Sequence, residues 1–427
     1  MSFSLKKRPF SSVSINLPAS KSISNRALII NALSGAGVVP QNISDCDDTR
    51  VMVRALSQPS EVIDIMAAGT AMRFLTAYLS VTEGERIITG TERMQHRPIK
   101  ILVDALRELG ADIAYVNEEG FPPLRIKGKK LQGGHIALAG NVSSQYISAM
   151  LMIGPTLERG LTLTLTGGIV SRPYIEMTLG IMREFGAKAT FEGDTIFVEP
   201  TGYTAIPYYI ENDWSASSYW FEMCALTPGS EVTLPGLFER SWQGDQKVKE
   251  IFEKLGVANE TIIGEDASCT PLPFGGGAGG RGTLLRHTGS VVERLDIDML
   301  SVPDLAQTVV VTCAMLNIPF RITGLQSLKI KETDRIHALR TELKKLGYLI
   351  SEADDSILYW DGERCEPKID ASIDTYEDHR MAMAFAPCCQ ALGEITINNP
   401  EVVSKSYPKF WEDFQLIHNS QFTIHNS

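Results

Sequence analysis

Four times along the chain, a stretch with apolar residues at helical spacing ends in Leu-Gly or Phe-Gly and a strand follows. The helical stretches are 99–110, 174–186, 247–256 and 335–347. After the first comes 111–116, after the second 189–191 and 195–198, and after the last 348–350 and 357–360. A glycine just past a helix permits the left-handed turn that starts the next strand. The glycines Gly110, Gly186, Gly256 and Gly347 are 76, 70 and 91 residues apart. That is too long for a solenoid repeat but suits a unit of about two helices and several strands. Each copy has a polar or cationic lead-in: Gln95-His96-Arg97-Pro98, Ser171-Arg172-Pro173-Tyr174, Ser241-Trp242-Gln243-Gly244-Asp245 and Lys331-Glu332-Thr333-Asp334-Arg335. Pro98 and Pro173 stand where a first helical turn tolerates proline. The pattern predicts an α/β protein of repeated units whose helix starts carry charge and hydroxyls.

At 427 residues the chain is too long for one ordinary core, so two domains are expected. Apolar residues at 44% and charged residues at 21% fit a globular protein. No apolar run approaches the length of a membrane span. Lys6, Lys7 and Arg8 are not followed by the apolar run of a signal peptide, so a cytoplasmic location is the expectation. The seven cysteines are scattered and make no C-x-x-C pair, which argues against a disulfide framework or a zinc site. A net charge of −11 argues against nucleic acid or an anionic membrane as partner. Local cation clusters are therefore informative.

Residues 17–29 form one such cluster. Pro18 disfavours helix before it, and Ser20 and Ser22 are good N-cap residues. An apolar helix then runs to Gly35. Lys21 and Arg26 sit with hydroxyls at a partly positive helix end, which suits a phosphate. Similar places follow at Gly69 in Ala68-Gly69-Thr70, at Arg97, at Ser143-Ser144-Gln145, at Ser171-Arg172 with Tyr174, at Lys331 with Arg335, at His379-Arg380 and at Lys405 between two serines. Lys331 and Arg335 are one helical turn apart and are expected on one helix face. Asp304 opens an apolar helix, and Glu332 lies inside the Lys331–Arg335 cluster. Carboxylates among cations are held ionised, yet can exchange a proton with an anionic substrate that offsets those cations. No P-loop, G-x-S-x-G or H-E-x-x-H motif occurs. No metal and no cofactor is expected. Gly275, Gly277 and Gly280 match G-x-G-x-x-G only formally, inside a Gly-, Pro- and Thr-rich stretch, 259–289, that is expected to be a surface insertion. The polar tail 418–427 is expected to be frayed.

Taken together, residues 17–28, 68–73, 93–106, 143–152, 171–177, 213–219, 243–245, 303–304, 331–335, 378–383 and 404–408 resemble the EPSP synthase (3-phosphoshikimate 1-carboxyvinyltransferase) family of enolpyruvyl transferases. The resemblance runs from Leu17 to about Phe410. It implies a two-domain α/β fold, an inverse α/β barrel with three βαβαββ units in each domain and the active site in the interdomain cleft. The implied boundaries are 1–19 with 212–427 for the first domain and 20–211 for the second. The implied reaction moves the enolpyruvyl group of phosphoenolpyruvate to the 5-hydroxyl of shikimate 3-phosphate and releases phosphate, by addition and elimination, in the route to chorismate and the aromatic amino acids. The partners implied are these two small molecules, on a monomer.

Carried over by position, Lys21, Ser22, Arg26, Ser143, Ser144, Gln145, Ser171, Tyr174, Asp304, Ser327 and Lys331 would bind shikimate 3-phosphate. Lys21, Gly69, Arg97, Gln145, Arg335, His379, Arg380 and Lys405 would surround phosphoenolpyruvate. Asp304 would be the base for the hydroxyl and Glu332 the acid toward carbon, with Lys21 or Lys331 sharing proton transfer. Domain closure would complete the site. Ala67 stands where relatives commonly have Asn, Phe74 where Pro is common, and Ser327 where Asn often sits. Two alternatives compete. One is the UDP-N-acetylglucosamine enolpyruvyl transferase, which would be expected to carry a reactive Cys near 92–97, where none occurs. The other is a non-catalytic anion-binding homologue.

Overall fold

A computed structural model describes residues 2–35, 39–58, 60–170, 172–264 and 280–419. The chain forms two compact units. One comprises residues 2–18 and the described residues from 212 onward, and the other is Ala19–Glu211.

In Ala19–Glu211, two four-stranded sheets share one topology. In the first, Val62–Asp64 runs parallel to Gly84–Thr89, with the helix Gly69–Val81 between them. The chain then makes the helix Lys100–Glu108 and the hairpin Asp112–Tyr115 and Leu124–Gly128, whose second strand returns antiparallel to Gly84–Thr89. The second sheet repeats this βαβαββ path with Gly134–Ala139, Ser144–Ile153, Leu161–Thr166, Arg172–Glu184, Ala189–Glu192 and Thr195–Val198. A third copy is represented by the helices Lys21–Leu33 and Asp47–Ser57 and by a single parallel bridge, Gln41 to Tyr209.

The other unit contains the same path twice in full. One sheet orders Leu255–Gly264, Gly280–Val291, Glu231–Pro235 and Ser12–Ser14, and the next orders Leu295–Asp298, Phe320–Thr323, Ile357–Trp360 and Ser351–Ala353. Its third sheet is completed from the far end of the chain. Ser372–Ile373 runs parallel to Glu394–Asn398, and Ser2–Lys6 adds antiparallel to the latter.

The helix–Gly–strand recurrence marks one place in each complete copy: the end of its second helix. Gly110, Gly186, Gly256 and Gly347 all have φ between +86° and +96°. The stretch 259–289 departs from expectation. Residues 259–264 and 280–289 are sheet strands in register, with Leu285 opposite Asn259 and Thr283 opposite Thr261. Thr283 and Leu285 point into the core, so glycine density hid a period-two pattern. Residues 265–279, including Gly275 and Gly277, lie outside the described residues, as do 420–427. The last helix, Phe410–Asn419, reaches into the tail expected to fray.

Several helices are buried nearly all round and form each unit's interior rather than a surface layer. Arg172–Glu184, half-buried, packs on Ser144–Ile153 and Lys21–Leu33, whereas Gly69–Val81 and Ser144–Ile153 are enclosed, packing on one another and on Lys21–Leu33. In the other unit, Trp214–Ala225, Ala306–Leu316 and His379–Phe385 do the same. Their weak amphipathicity follows from this, since Ala, Ser, Thr and Val let helices approach closely on every side.

Gly110 has open space where a side chain would go, so Gly110→Ala tests backbone conformation alone. It is expected to cost about 1–2 kcal/mol and to lower the thermal midpoint. An unchanged midpoint would show that the recurrent glycine does not serve the left-handed turn.

Candidate active site

Helix starts in the unit containing residues 212 onward converge on Asp304. The turn Pro303–Leu305 presents it at the head of Ala306–Leu316. Arg335, the first residue of Arg335–Lys345, donates from Nη1 to Asp304 Oδ1 at 3.1 Å. Arg380, in the first turn of His379–Phe385, donates from Nη2 to Asp304 Oδ2 at 3.1 Å. Lys331 Nζ stands 3.5 Å from Asp304 Oδ1. Lys331 is not on the helix: Asp334 caps it by accepting from His337 N, and the helix begins at Arg335. The two cations share a target because the chain turns, not because they share a helical face.

Glu332 forms the second carboxylate centre. Its Oε2 accepts from Arg335 Nη2 at 2.9 Å and its Oε1 from Lys405 Nζ at 2.7 Å. Lys405 closes the short helix Pro400–Lys405. Arg335 is fully buried, and its Nε donates to Asp378 Oδ2 at 2.6 Å. Asp378 also accepts from Arg380 N, capping the helix that carries His379 and Arg380.

Burial alone would raise both site carboxyls. For Asp304 the charges of Arg380, Lys331 and Arg335 outweigh it and hold the group well below the usual aspartate value. For Glu332, Arg335, Lys405 and His379 do the same. Asp245 behaves oppositely. Burial and the neighbouring Asp304 push it up to about 7, against the pull of Arg380 and a hydrogen bond from Ser215. Ser327 Oγ is buried and has no hydrogen-bond partner among the described residues.

In Ala19–Glu211, Ser20 caps Lys21–Leu33 by accepting from Ile23 N, so Ser22 lies in the first turn and is not the cap. Lys21 Nζ is 3.9 Å from Asp48 Oδ2. Arg26 is buried. Its Nε donates to Thr178 Oγ1 at 2.7 Å, Nη1 to Ser22 O at 2.9 Å and Nη2 to Ser148 Oγ at 3.0 Å. Burial lowers its pKa to about 10, with Tyr174 acting against this. Ser143 caps Ser144–Ile153 and accepts from Gln145 N. Gln145 Nε2 donates to Thr70 Oγ1 at 3.2 Å, bringing that helix start to the start of Gly69–Val81. A Cβ at Gly69 would lie 2.5 Å from Arg73 Nη1 and 2.7 Å from Arg97 Nη1, so both guanidiniums use the space that glycine leaves. Ser171 lies outside the described residues.

Asp378, Asp245, Asp48 and Arg73 belong to these clusters although their residue types alone did not single them out. Asp378 had one signal, its N-cap position before His379. The described residues contain no group of three or more metal-ligating side chains and no helix long and apolar enough to cross a membrane.

The family model for EPSP synthase (3-phosphoshikimate 1-carboxyvinyltransferase) matches residues 10–58 and 54–414. A protein from Bacteroides fragilis named 3-phosphoshikimate 1-carboxyvinyltransferase is 60% identical over 402 residues, 94% of each chain. One of the same name from Vibrio cholerae is 35% identical over 443 residues, covering 96% of this chain and 98% of its own. An EPSP synthase structure from Acinetobacter baumannii superposes with a TM-score of 0.78 over 97% of this chain and 98% of its own, at 22% identity, a likeness of fold. With a match this long in both sequence and fold, the chain belongs to the EPSP synthase (3-phosphoshikimate 1-carboxyvinyltransferase) family.

Proposed function

We propose that this chain transfers the enolpyruvyl group of phosphoenolpyruvate to the 5-hydroxyl of shikimate 3-phosphate, releasing phosphate. The observation that carries the reading is the pair of carboxylates, Asp304 and Glu332, bridged by the single buried guanidinium of Arg335. Addition needs one group to take the hydroxyl proton and another to give a proton to the methylene carbon. Asp304 takes the first part and Glu332 the second. Elimination returns the carbon-bound proton to Glu332, and phosphate leaves with the proton of the hydroxyl. Holding both reactants in position makes the addition effectively unimolecular.

Both carboxyls are ionised in the unliganded cluster, so Glu332 must gain a proton before it can act as an acid. Phosphoenolpyruvate supplies the means. Its negative charge, set among Arg335, Arg380, His379 and Lys405, offsets the cations that hold Glu332 down, and the Glu332 pKa rises. The same cations stabilise phosphate as it departs. Ser327 offers an unpartnered hydroxyl to the shikimate phosphate, with Lys331 beside Asp304. In Ala19–Glu211, Gly69, Arg97, Gln145 and Lys21 are the groups proposed for phosphoenolpyruvate, with Lys21 also shared in proton transfer. Ser22, Arg26, Ser143, Ser144, Gln145, Ser171, Tyr174 and Lys21 are those proposed for shikimate 3-phosphate. Arg26 also fastens three helices together through Thr178 and Ser148. The proposed site needs no cofactor.

Phosphate release by the purified protein tests the reading. Release is expected with phosphoenolpyruvate and shikimate 3-phosphate. Release only with UDP-N-acetylglucosamine as acceptor would replace the reading with the sister reaction. Glu332→Gln is expected to lower kcat by about 10²–10⁴-fold with KM for shikimate 3-phosphate unchanged. Full turnover would remove Glu332 from the acid's role. In Gly69→Ala the added Cβ displaces the Arg97 and Arg73 guanidiniums, so KM for phosphoenolpyruvate should rise by about tenfold; an unchanged KM would detach Gly69 from that substrate.

The pKa shifts also set the pH dependence of stability. Asp304 and Glu332 are depressed on folding, so their contribution is present above the ordinary carboxylate range and is lost as pH falls below about 4. Asp245 is raised, so its contribution is present below the ordinary aspartate value and is lost as pH climbs through about 7. Asp245→Asn should therefore lose less thermal stability than the unsubstituted protein between pH 5 and pH 8. Parallel melting curves across that range would contradict the assignment.

A further inference from the structure

The proposed reaction uses Arg380 as a cation around phosphoenolpyruvate, and its bond to Asp304 is one anchor for that guanidinium, but there is a second. Arg380 Nη1 donates to the hydroxyl of Tyr219 at 3.3 Å. Tyr219 lies on Trp214–Ala225, a different element from those carrying Asp304 and Arg380, and is 2% exposed. Its ring packs edge-on against Phe410, with centroids 5.8 Å apart. Phe410 in turn packs against Tyr407 and Trp220.

We propose that Tyr219 is a positioning residue that aims Arg380 at phosphoenolpyruvate. A guanidinium on a flexible stem, held at one nitrogen by a carboxylate, can still swing about that contact. A hydroxyl fixed by a buried ring at the other terminal nitrogen removes the swing. Arg380 then presents its remaining N–H groups in one orientation when the anion arrives, and the cost of ordering it has been met in the folded protein. The C-terminal helix Phe410–Asn419 thereby contributes to the site through ring packing alone. The inference rests on the functional reading above and specifies which residue orients one of its cations.

The same cluster supplies a control. Tyr407 is equally buried, and its hydroxyl accepts from Trp220 Nε1 at 3.3 Å and donates to Asp413 Oδ2 at 2.7 Å, neither of them a residue of the proposed site. Tyr219→Phe and Tyr407→Phe each delete one buried hydroxyl from one aromatic cluster. In Tyr219→Phe, KM for phosphoenolpyruvate is expected to rise by about tenfold, the loss of one hydrogen bond to a charged group, while KM for shikimate 3-phosphate stays within about twofold. In Tyr407→Phe neither constant should move, although the melting temperature falls. An unchanged KM for phosphoenolpyruvate in Tyr219→Phe overturns the proposal, and so does an equal rise in Tyr407→Phe. Hydrogen exchange of the Arg380 guanidinium, followed by NMR, decides the anchor without turnover. Exchange should quicken in Tyr219→Phe only; equal exchange in the two variants overturns the proposal. If the unsubstituted protein releases no phosphate, the functional reading fails, and the exchange comparison still decides whether Tyr219 holds Arg380.

Discussion

The buried guanidinium of Arg335 is the interaction on which the acidic half of the proposed site depends. It bonds Asp378, Asp304 and Glu332 through three nitrogens while almost wholly removed from water. Burial would lower its pKa, but the three carboxylates raise it above the ordinary arginine value. Such a charge cannot be left alone. Removing one partner of a buried pair costs about 3–5 kcal/mol, because the other charge stays desolvated. The arrangement is thus held by the same electrostatics that poise Asp304 and Glu332, and neither carboxylate can wander from the cation that links them.

Those groups meet because of the repeated βαβαββ path. A parallel β-α-β step returns each helix to the same side of its strand pair, and successive units place helix starts near one another. Asp304, Arg335 and Arg380 come from three helix starts separated by tens of residues, and Gln145 and Thr70 from two more in the other unit. Within each unit, free N–H groups and cationic side chains gather where its helix starts converge, a natural setting for phosphate. Gly69–Val81, Ser144–Ile153, Ala306–Leu316 and His379–Phe385 are buried on nearly every side, which leaves their first turns as the places where polar groups can face a ligand.

Around Asp304 and Glu332, Lys331, Arg335, Arg380 and Lys405 face Asp304, Glu332 and Asp378. The cluster is almost compensated, with a small positive excess. An anion entering it replaces part of what the carboxylates supply. In the proposed reaction, that exchange is what lets groups ionised in the unliganded protein carry protons. In the other unit the cation Arg26 bonds neutral partners instead: held by Thr178, Ser148 and the Ser22 carbonyl, it joins three helices.

Much of this was legible in the residues. The four helix-ending glycines announced a repeated α/β unit, because a left-handed backbone turn demands glycine and leaves a local mark. Ser20 announced the cap of Lys21–Leu33 for the same reason, since capping involves residues only two or three apart. The ordered run of motifs pointed to the family. The strands within 255–291 were obscured, because a glycine-dense composition hides an alternating pattern that pairing across the sheet restores. Which cation meets which carboxylate could not be read from the chain. Lys331 and Arg335 look like helical neighbours but meet at Asp304 only through a turn, and Tyr219 shows no link to Arg380 across 161 residues. The sequence by itself determined where helices begin, where they stop and which charges stand at their starts, because those depend on neighbours along the chain. Only the tertiary structure decided which starts converge, which cations are buried and which proton sites are poised, because those depend on distances and desolvation that exist only once the sheets and helices have packed.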